Sequence, residues 1–259
     1  MKLIVGHLHK VVRQLRKGGA CVKEYWVLLG SFGSGKSELA LNLAVQKAGE
    51  GPCTVVDLDV INPYFRVSER GDVLEPAGVE LIMPPYALEK IEIMSLSARV
   101  YSAFAPGEGT VIFDIGGDDV GSIALGQYKP RFDAVPKDRL NVLFIVNPLR
   151  PTAADLPSAL DTLYKVQYVS RMAVTGIVNN ANLAGETDVS HLKMGYDLVK
   201  ALSEQTGIPV WGTCGTEPVL QSFRQYAEEN GLDPAFIGRY QPIEVMMHRS
   251  WDKFLAEGL

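Results

Sequence analysis

Residues 30–37 read GSFGSGKS and fit the pattern G-x-x-x-x-G-K-[ST]. The glycines of this pattern let the backbone curl so that successive N–H groups face inward and cradle phosphate groups. The side chain of Lys36 places a positive charge near the β- and γ-phosphates of a nucleotide, and the Ser37 hydroxyl is a ligand for Mg²⁺. The pattern therefore predicts a P-loop that binds a nucleoside triphosphate.

The flanking residues fit a P-loop that joins a buried strand to a helix. Residues 25–29 form an apolar run before the loop, and residues 38–45 after it are rich in helix formers. The phosphates would then lie at a helix N-terminus, where backbone N–H groups and the helix dipole favour an anion. We expect the nucleotide to contact the loop and the residue after it: Gly30, Ser31, Phe32, Gly33, Ser34, Gly35, Lys36, Ser37 and Glu38.

The composition indicates a globular chain whose main partner is not nucleic acid. Of 259 residues, 47% are hydrophobic and 21% are charged, which suffices for a sizeable core. The net charge of −5 offers no strong positive field to a nucleic acid. Scattered cysteines without paired spacing suit a reducing compartment, and no apolar run is long enough to span a membrane. We therefore expect a cytoplasmic protein.

The chain divides into a short extension and one domain. Residues 1–22 carry lysines and arginines but no acidic residue. We expect them to be solvated or loosely docked, with a helix on a membrane surface as the alternative. Residues 23–259 contain no repeat and no convincing linker, which predicts a single nucleotide-binding domain.

Predicted strands alternate with predicted helices in this domain, as in parallel βαβ units. We expect an α/β fold with a mostly parallel central sheet and helices on both faces, the three-layer sandwich of P-loop NTPases. The later predicted strands are 172–178 and 208–211, and the predicted helices include 90–104 and 218–230. The C-terminal apolar residues are predicted to cover the core: Met246, Met247, Trp251, Phe254 and Leu255.

Acidic residues end two of the predicted strands. The strand 110–113 runs into Asp114, as in a Walker B element whose carboxylate holds Mg²⁺ directly or through water. Gly117 follows, where its backbone N–H would sense a γ-phosphate; such a loop is ordered by the triphosphate and released after hydrolysis. Asp57 and Asp59 close another strand and share one side if the chain stays extended. One of them would bind a magnesium-bound water and the other would orient the attacking water; purely structural turn roles are the alternative for all three aspartates.

Together these motifs resemble the MinD/ParA/CobQ-like P-loop ATPases of the SIMIBI class. The resemblance rests on GSFGSGKS (30–37), VVDLD (55–59), VIFDIGG (111–117), IVNP (145–148) and GIVNN (176–180), and it covers about residues 25–220. It implies that Asp59 acts on the hydrolytic water, with Asp57 beside it. It also implies that Asn179 or Asn180 reads adenine and that the loop around Pro218 covers the base.

The run Asn179-Asn180-Ala181-Asn182 favours ATP over GTP. An asparagine amide offers one donor and one acceptor, which match N6 and N7 of adenine. A guanine reader is expected to show N-K-x-D at this place instead. Asparagines are also ordinary turn formers at strand ends, which leaves a structural role open for each of them.

The P-loop departs from the family at Ser31. Many members carry a lysine there that crosses a dimer to the phosphates of the partner, so the sequence leaves a homodimer open. Arg66 and Arg150 are the candidate substitute cations, because a guanidinium supplies charge to a phosphoryl transition state in cis or in trans. Surface or core-edge salt bridges are the alternative for both arginines.

The sequence thus predicts a Mg²⁺-dependent ATPase that acts as a nucleotide-controlled switch. Lys36, Asp59 and Asp57 are the predicted catalytic residues, and Ser37, Asp57 and Asp114 the predicted metal ligands. A small-molecule kinase or an ATP-dependent ligase is one alternative, and an ATP-sensing binding module is another. The protein or small molecule on which the chain would act has no signature in the sequence.

Overall fold

The computed structural model describes residues 23–59, 66–83, 99–117 and 119–247. Several predictions on the sequence lie outside these residues. They concern the basic extension 1–22, most of the predicted helix 90–104, and the C-terminal Trp251, Phe254 and Leu255.

The described residues contain eight strands, and all of them join one parallel sheet. The spatial order is β3-β2-β4-β1-β5-β6-β7-β8. The strands are β1 (Glu24–Leu29), β2 (Cys53–Leu58), β3 (Val79–Ile82), β4 (Thr110–Ile115), β5 (Leu140–Val146), β6 (Gly176–Asn179), β7 (Val210–Gly215) and β8 (Arg239–Pro242).

The strand order reverses at β1, because β2 to β4 lie on one side of it and β5 to β8 on the other. All strands of a parallel sheet end at the same edge, here called the carboxyl edge. In open α/β sheets, ligands bind outside this edge at the point where the order reverses. The loop that follows β1 is the P-loop, so the topology places it at that point.

Helices cover both faces of the sheet, which confirms the predicted α/β sandwich. The first helix packs its leucines against Trp26 and Leu28 on one face, and the long helices after β5 and β6 pack on the other. In the described residues these are α1 (Lys36–Ala48), α2 (Gly71–Leu74), α3 (Asp119–Gly126), α4 (Lys129–Phe132), α5 (Leu156–Ser170), α6 (Val189–Thr206) and α7 (Glu217–Glu229).

Strand β1 shows why the sequence forms a central strand. Tyr25, Val27 and Leu29 belong to the apolar cluster on one face, and Trp26 and Leu28 to the cluster on the other. A continuous apolar run is needed when both faces of a strand are buried. The run 25–29 therefore fits the middle of a covered parallel sheet and fixes the start of the P-loop.

The end of the sheet differs from the prediction. The predicted strand 208–211 corresponds to β7, which spans Val210–Gly215, and it is not the last strand, because β8 with the sequence RYQP follows it. A strand at the edge of a sheet faces water, and its sequence needs no apolar run. Arg239 stacks over the Trp211 ring, 3.5 Å from the ring centre, which supplies the packing there. The predicted strand 172–178 is shorter in the structure, where β6 spans Gly176–Asn179.

Candidate functional site

The loop between β1 and α1 has the backbone of a tight phosphate-binding turn. Gly30, Gly33 and Gly35 have positive φ angles of 151°, 72° and 89°, a region that favours glycine. A Cβ atom on Gly30 would lie 2.6 Å from the carbonyl oxygen of Ile145. The glycines of the motif are thus required by the turn and by its contact with β5.

A cavity of about 370 Å³ opens above this loop at the carboxyl edge. It is lined by residues of the P-loop and α1, by strand ends, and by the C-terminal segment. From the first group these are Phe32, Gly33, Gly35, Lys36, Ser37, Glu38 and Leu39. From strand ends and their loops they are Asp59, Gly117, Arg150, Asn180, Asn182, Ala184, Thr187, Gly215 and Thr216, and from the C-terminal segment Ile243, Val245 and Met247.

Lys36 is held over the loop that it follows. Its Nζ donates a hydrogen bond of 2.9 Å to the carbonyl oxygen of Ser31, and the side chain is buried while reaching the cavity. Gly30, Ser31 and Ser34 are also buried, and they are not among the residues that line the cavity. The structure therefore brings the predicted phosphate-binding residues together, with these three as support of the loop.

Asp114 is a buried carboxylate at the end of β4. Neither of its oxygens has a hydrogen-bond partner in the described part of the chain. Burial, followed by the negative charge of Asp57, raises the pKa of Asp114 to about 7. Ser37 and the charge of Lys36 act in the opposite direction, with no bond of normal geometry between Ser37 and the carboxylate.

An unpartnered buried carboxylate beside a hydroxyl fits a divalent cation, because oxygen ligands are those that Mg²⁺ prefers. Across the described ranges, no group of three or more His, Cys, Asp or Glu side chains is arranged to hold a metal. Mg²⁺ commonly takes one or two protein oxygens and completes its shell with phosphates and water. The donor set of Asp114 and Ser37 fits that mode of binding.

Asp57 and Asp59 occupy different surroundings. The oxygens of Asp57 accept hydrogen bonds from the backbone N–H groups of Asp59 (2.9 Å) and Ser68 (3.2 Å). Burial raises the pKa of Asp57, and these hydrogen bonds oppose the rise. Asp59 lines the cavity, whereas Asp57 does not. Strand β2 ends at Leu58, so the alternation that predicted a shared side stops before Asp59.

The two predicted base-reading asparagines also separate. Asn179 is fully buried; its Nδ2 donates to the carbonyl oxygen of Leu192 (3.0 Å), and its Oδ1 accepts from the N–H of Ala181 (3.2 Å). Asn180 lines the cavity, and its Nδ2 donates to the carbonyl oxygen of Ser34 (2.7 Å). The structure thus places Asn180, and not Asn179, where a ligand would meet it.

The structure also shows where the loop after β7 and the rest of the asparagine run lie relative to the cavity. The loop after β7 contributes Gly215 and Thr216, whereas Pro218 lies in the first turn of α7 and not on the cavity. Proline suits the first turn of a helix, where its missing N–H costs nothing. Asn182 also lines the cavity and was not among the predicted site residues, although it belongs to the asparagine run 179–182.

The two candidate cations differ in position. Arg150 follows β5, and its Nε donates a hydrogen bond of 3.0 Å to the carbonyl oxygen of Gly33. Its side chain lies against Gly33 and lines the cavity. Arg66 precedes the short 3₁₀ turn Val67–Arg70, acts electrostatically on Asp57, and does not line the cavity. The structure brings only Arg150 of this pair to the P-loop.

The turn after Asp114 packs directly on the P-loop. A Cβ atom on Gly117 would lie 2.5 Å from the backbone nitrogen of Phe32 and 2.6 Å from its Cα. Only glycine allows this approach. The Phe32 side chain points away from the packed core and is 68% exposed. Gly117 therefore links the end of β4 to the loop that would hold phosphates.

Glu38 has a partner that the sequence did not predict. Its Oε1 accepts a hydrogen bond of 2.6 Å from the N–H of Met246, and its Oε2 accepts one of 3.2 Å from the N–H of Met247. The C-terminal residues around these methionines line the cavity, in addition to the predicted packing on the core. From the sequence alone, the apolar side chains of this C-terminal segment could belong equally well to a cavity wall or to a core.

No protein-family model and no curated protein matches the sequence. No helix of the described ranges has both the length and the apolar character that crossing a membrane requires. Among solved structures, similarity is found to signal recognition particle receptors and related FtsY proteins.

Three FtsY structures show this similarity, each with a TM-score of 0.50. The receptor from Elizabethkingia anophelis, in complex with GDP, is 20% identical over 74% of this chain and 57% of its own. The protein from Thermotoga maritima is 17% identical over 77% and 64%, and chloroplast FtsY from Physcomitrella patens 17% over 80% and 66%. The match thus spans less than two thirds of each FtsY chain. This likeness establishes the architecture: the chain shares the α/β P-loop NTPase-like fold of these FtsY structures.

Proposed function

We propose that the chain is a Mg²⁺-dependent ATPase that acts as a nucleotide-controlled switch. The observation that carries the proposal is the buried carboxylate of Asp114, which has no hydrogen-bond partner among the described residues and lies near Ser37 and Lys36. A buried charge without a partner is costly in the folded state. A divalent cation that Asp114 and Ser37 would hold would remove that cost.

The phosphate end of the ligand is supported by the P-loop. Gly33, Gly35, Lys36 and Ser37 line the cavity at the N-terminus of α1. Such a terminus combines inward N–H groups with the positive end of the helix dipole. Lys36 would exchange its bond to the carbonyl oxygen of Ser31 for the β- and γ-phosphates, and bound Mg²⁺ would neutralise the charge that develops on them.

Hydrolysis would depend on Asp59. Its carboxylate lines the same cavity as Lys36 and Gly117, where a water in line with the γ-phosphate would lie. Its backbone N–H is held by Asp57, which keeps the turn in place. Asp59 would orient the water and accept its proton as a general base, and Asp57 would act through Asp59.

The choice of ATP rests on the asparagines of the cavity and on the resemblance to MinD/ParA/CobQ-like ATPases. Asn180 and Asn182 both line the cavity, where the Nδ2 of Asn180 donates to the carbonyl oxygen of Ser34 and the Nδ2 of Asn182 to that of Asn180. An amide supplies the donor and acceptor that the edge of adenine requires. The FtsY protein from Elizabethkingia anophelis was solved with GDP, so the test must compare ATP and GTP directly.

Phosphate release from ATP and from GTP, with Mg²⁺ or with EDTA, tests the proposal. We expect Mg²⁺-dependent release from ATP that falls at least about 100-fold in Lys36→Ala. Lys129→Ala, in an exposed ion pair with Asp133 on α4, is the matched control and should leave the rate unchanged. Equal rates in the wild type and Lys36→Ala would reject the ATPase. A rate that rises sharply only with a small-molecule acceptor would favour a kinase or ligase.

A further inference from the structure

The chain leaves the sheet at β8 and turns back over the cavity. Because β8 is parallel to the other strands, it ends at the carboxyl edge, where the P-loop lies. The next residue, Ile243, donates its backbone N–H to the carbonyl oxygen of Gly215 at the end of β7 (2.8 Å). Residues 243–247 then reach α1. They are called the C-terminal strap below.

Two side chains of α1 hold the strap by its backbone. The Nδ2 of Asn42 donates to the carbonyl oxygen of Glu244 (2.9 Å), and its Oδ1 accepts from the N–H of the same residue (2.8 Å). The carboxylate of Glu38 accepts from the N–H groups of Met246 and Met247. Glu38 and Asn42 are one helical turn apart and therefore share a face of α1. Together they bind four consecutive peptide units of the strap, through the N–H and C=O of Glu244 and the N–H groups of Met246 and Met247.

The position of Glu38 makes this attachment part of the ligand site. Glu38 directly follows Ser37, in the turn of α1 whose N–H groups would face the phosphates. At its other end the strap is bonded to Gly215, which also lines the cavity. The strap thus spans the distance from the loop after β7 to the first turns of α1.

Alternate side chains of the strap face the cavity. Ile243, Val245 and Met247, every second residue of the strap, line it. Val245 is 47% exposed, so apolar surface is left open towards the cavity. Asn180 and Asn182 line the same cavity with amide groups. An apolar wall together with amides is suited to a purine, which has apolar faces and a polar edge.

We propose that the C-terminal strap is the base-side wall of the nucleotide site, and that Glu38 and Asn42 are positioning residues that clamp it there. The inference rests on the proposed binding of a purine nucleotide and adds to it the element that selects for a base. Inorganic tripolyphosphate has the phosphates but no base. The strap should therefore contribute to the affinity for ATP and not to that for tripolyphosphate.

Isothermal titration of the full chain with Mg-ATP and with Mg-tripolyphosphate tests this inference. We expect Asn42→Ala to weaken ATP about tenfold, since two backbone hydrogen bonds of the wall are lost. The affinity for tripolyphosphate should stay within twofold. Gln225→Ala, which loses an exposed bond to Glu229 on α7, is the control and should change neither affinity.

Val245→Ser provides a second variant that does not disturb the clamp. Its side chain is half exposed, so the fold should tolerate the change, and ATP should weaken about threefold with tripolyphosphate unchanged. Hydrogen exchange at residues 243–247 should slow with ATP but not with tripolyphosphate.

The outcomes separate the strap from the ATPase. If the wild type binds ATP and both variants bind it equally well, the strap inference is wrong and the nucleotide site stands. If Asn42→Ala weakens ATP and tripolyphosphate alike, the strap supports the fold and does not form a base wall. If the wild type binds neither ligand, both proposals are rejected.

Discussion

Asp57 and Asp114 lie opposite each other in the parallel register of β2 and β4, yet only Asp57 accepts hydrogen bonds. The backbone N–H groups of Asp59 and Ser68 bind Asp57, while both oxygens of Asp114 have no partner in the ranges that the structure describes. Two carboxylates so placed disfavour each other's charge. The turn after β2 satisfies Asp57, whereas Asp114 would be satisfied by the cation that we propose.

The pair predicts how stability depends on pH when Mg²⁺ is absent. The pKa of Asp114 is about 7 in the folded chain, against an ordinary value of 3.8, and that of Asp57 is raised as well. Between pH 3.8 and about pH 7, Asp114 holds a proton in the folded state that it has released in the unfolded state. The free energy of unfolding should therefore fall as the pH rises, by about 2 kcal/mol from pH 5.5 to 7.5.

Urea unfolding in EDTA at pH 5.5, 6.5 and 7.5 measures this dependence. Asp114→Asn removes the titrating group and should flatten the profile, with a gain of stability at pH 7.5. Adding Mg²⁺ and a nucleotide to the wild type should restore stability at that pH. A wild type that becomes more stable towards pH 7.5, in parallel with Asp114→Asn, would contradict the burial of a charge at β4.

Asp59 and Asp57 should give opposite phenotypes. Asp59→Asn keeps the shape of the side chain but removes the base, so ATP hydrolysis should fall about 100-fold or more with ATP affinity within threefold. Asp57→Ala removes two hydrogen bonds of a buried turn and should lower stability by about 2 kcal/mol. Phosphate release measures the hydrolysis rate, titration calorimetry the ATP affinity, and urea unfolding the stability. Loss of hydrolysis in Asp57→Ala at full stability would assign the catalytic role to Asp57 instead.

Arg150 should contribute to hydrolysis from within the same chain. Its guanidinium is anchored on the carbonyl oxygen of Gly33 and lines the cavity. We expect Arg150→Ala to slow ATP hydrolysis about 10- to 100-fold. Arg150→Lys should not restore the rate, because an ammonium lacks the planar fork that bonds the loop and a phosphate together.

Arg139→Ala is the control for Arg150, since Arg139 forms an exposed ion pair with Asp138 and does not line the cavity. It should hydrolyse ATP at the rate of the wild type, measured by phosphate release. If Arg150→Ala is equally active, the transition-state charge is supplied by another group.

The turn after Asp114 should not tolerate a single methyl group. In Gly117→Ala the new Cβ would meet the backbone of Phe32, which has no rotamer with which to move aside. We expect ATP affinity to fall at least tenfold, with a lower melting temperature. A Cβ on Gly51 would meet nothing within 4 Å, so Gly51→Ala is the matched control. Titration calorimetry that finds equal affinities in both variants would show that the turn is free of the P-loop.

The sequence was sufficient to predict the fold and to single out the loop after β1 that lines the cavity. The motif at 30–37 has one local geometry, and the apolar runs before Asp114 and Asp59 had the composition of covered parallel strands. These features depend on neighbours within the same segment. The local sequence was therefore enough to predict them.

Features that depend on distant segments were not predictable. Asn179 and Asn180 are adjacent, and only the three-dimensional position of Leu192 and Ser34 decides which amide is used inside the fold. Glu38 looked like a phosphate-side residue, but its partners are more than 200 positions away in the chain. Strand β8 has no apolar run because it lies at an edge. In each case the deciding contact is long-range.

The residues that line the cavity come from both sides of β1 in the sheet. Asp59 and Gly117 follow β2 and β4 on one side, whereas Asn180, Gly215 and the strap follow β6, β7 and β8 on the other. A bound nucleotide would lie across this divide, with its last phosphate over one half and its base over the other. Departure of that phosphate would change the contacts of the first half and leave the second half engaged. The protein would then register hydrolysis while it still holds the product.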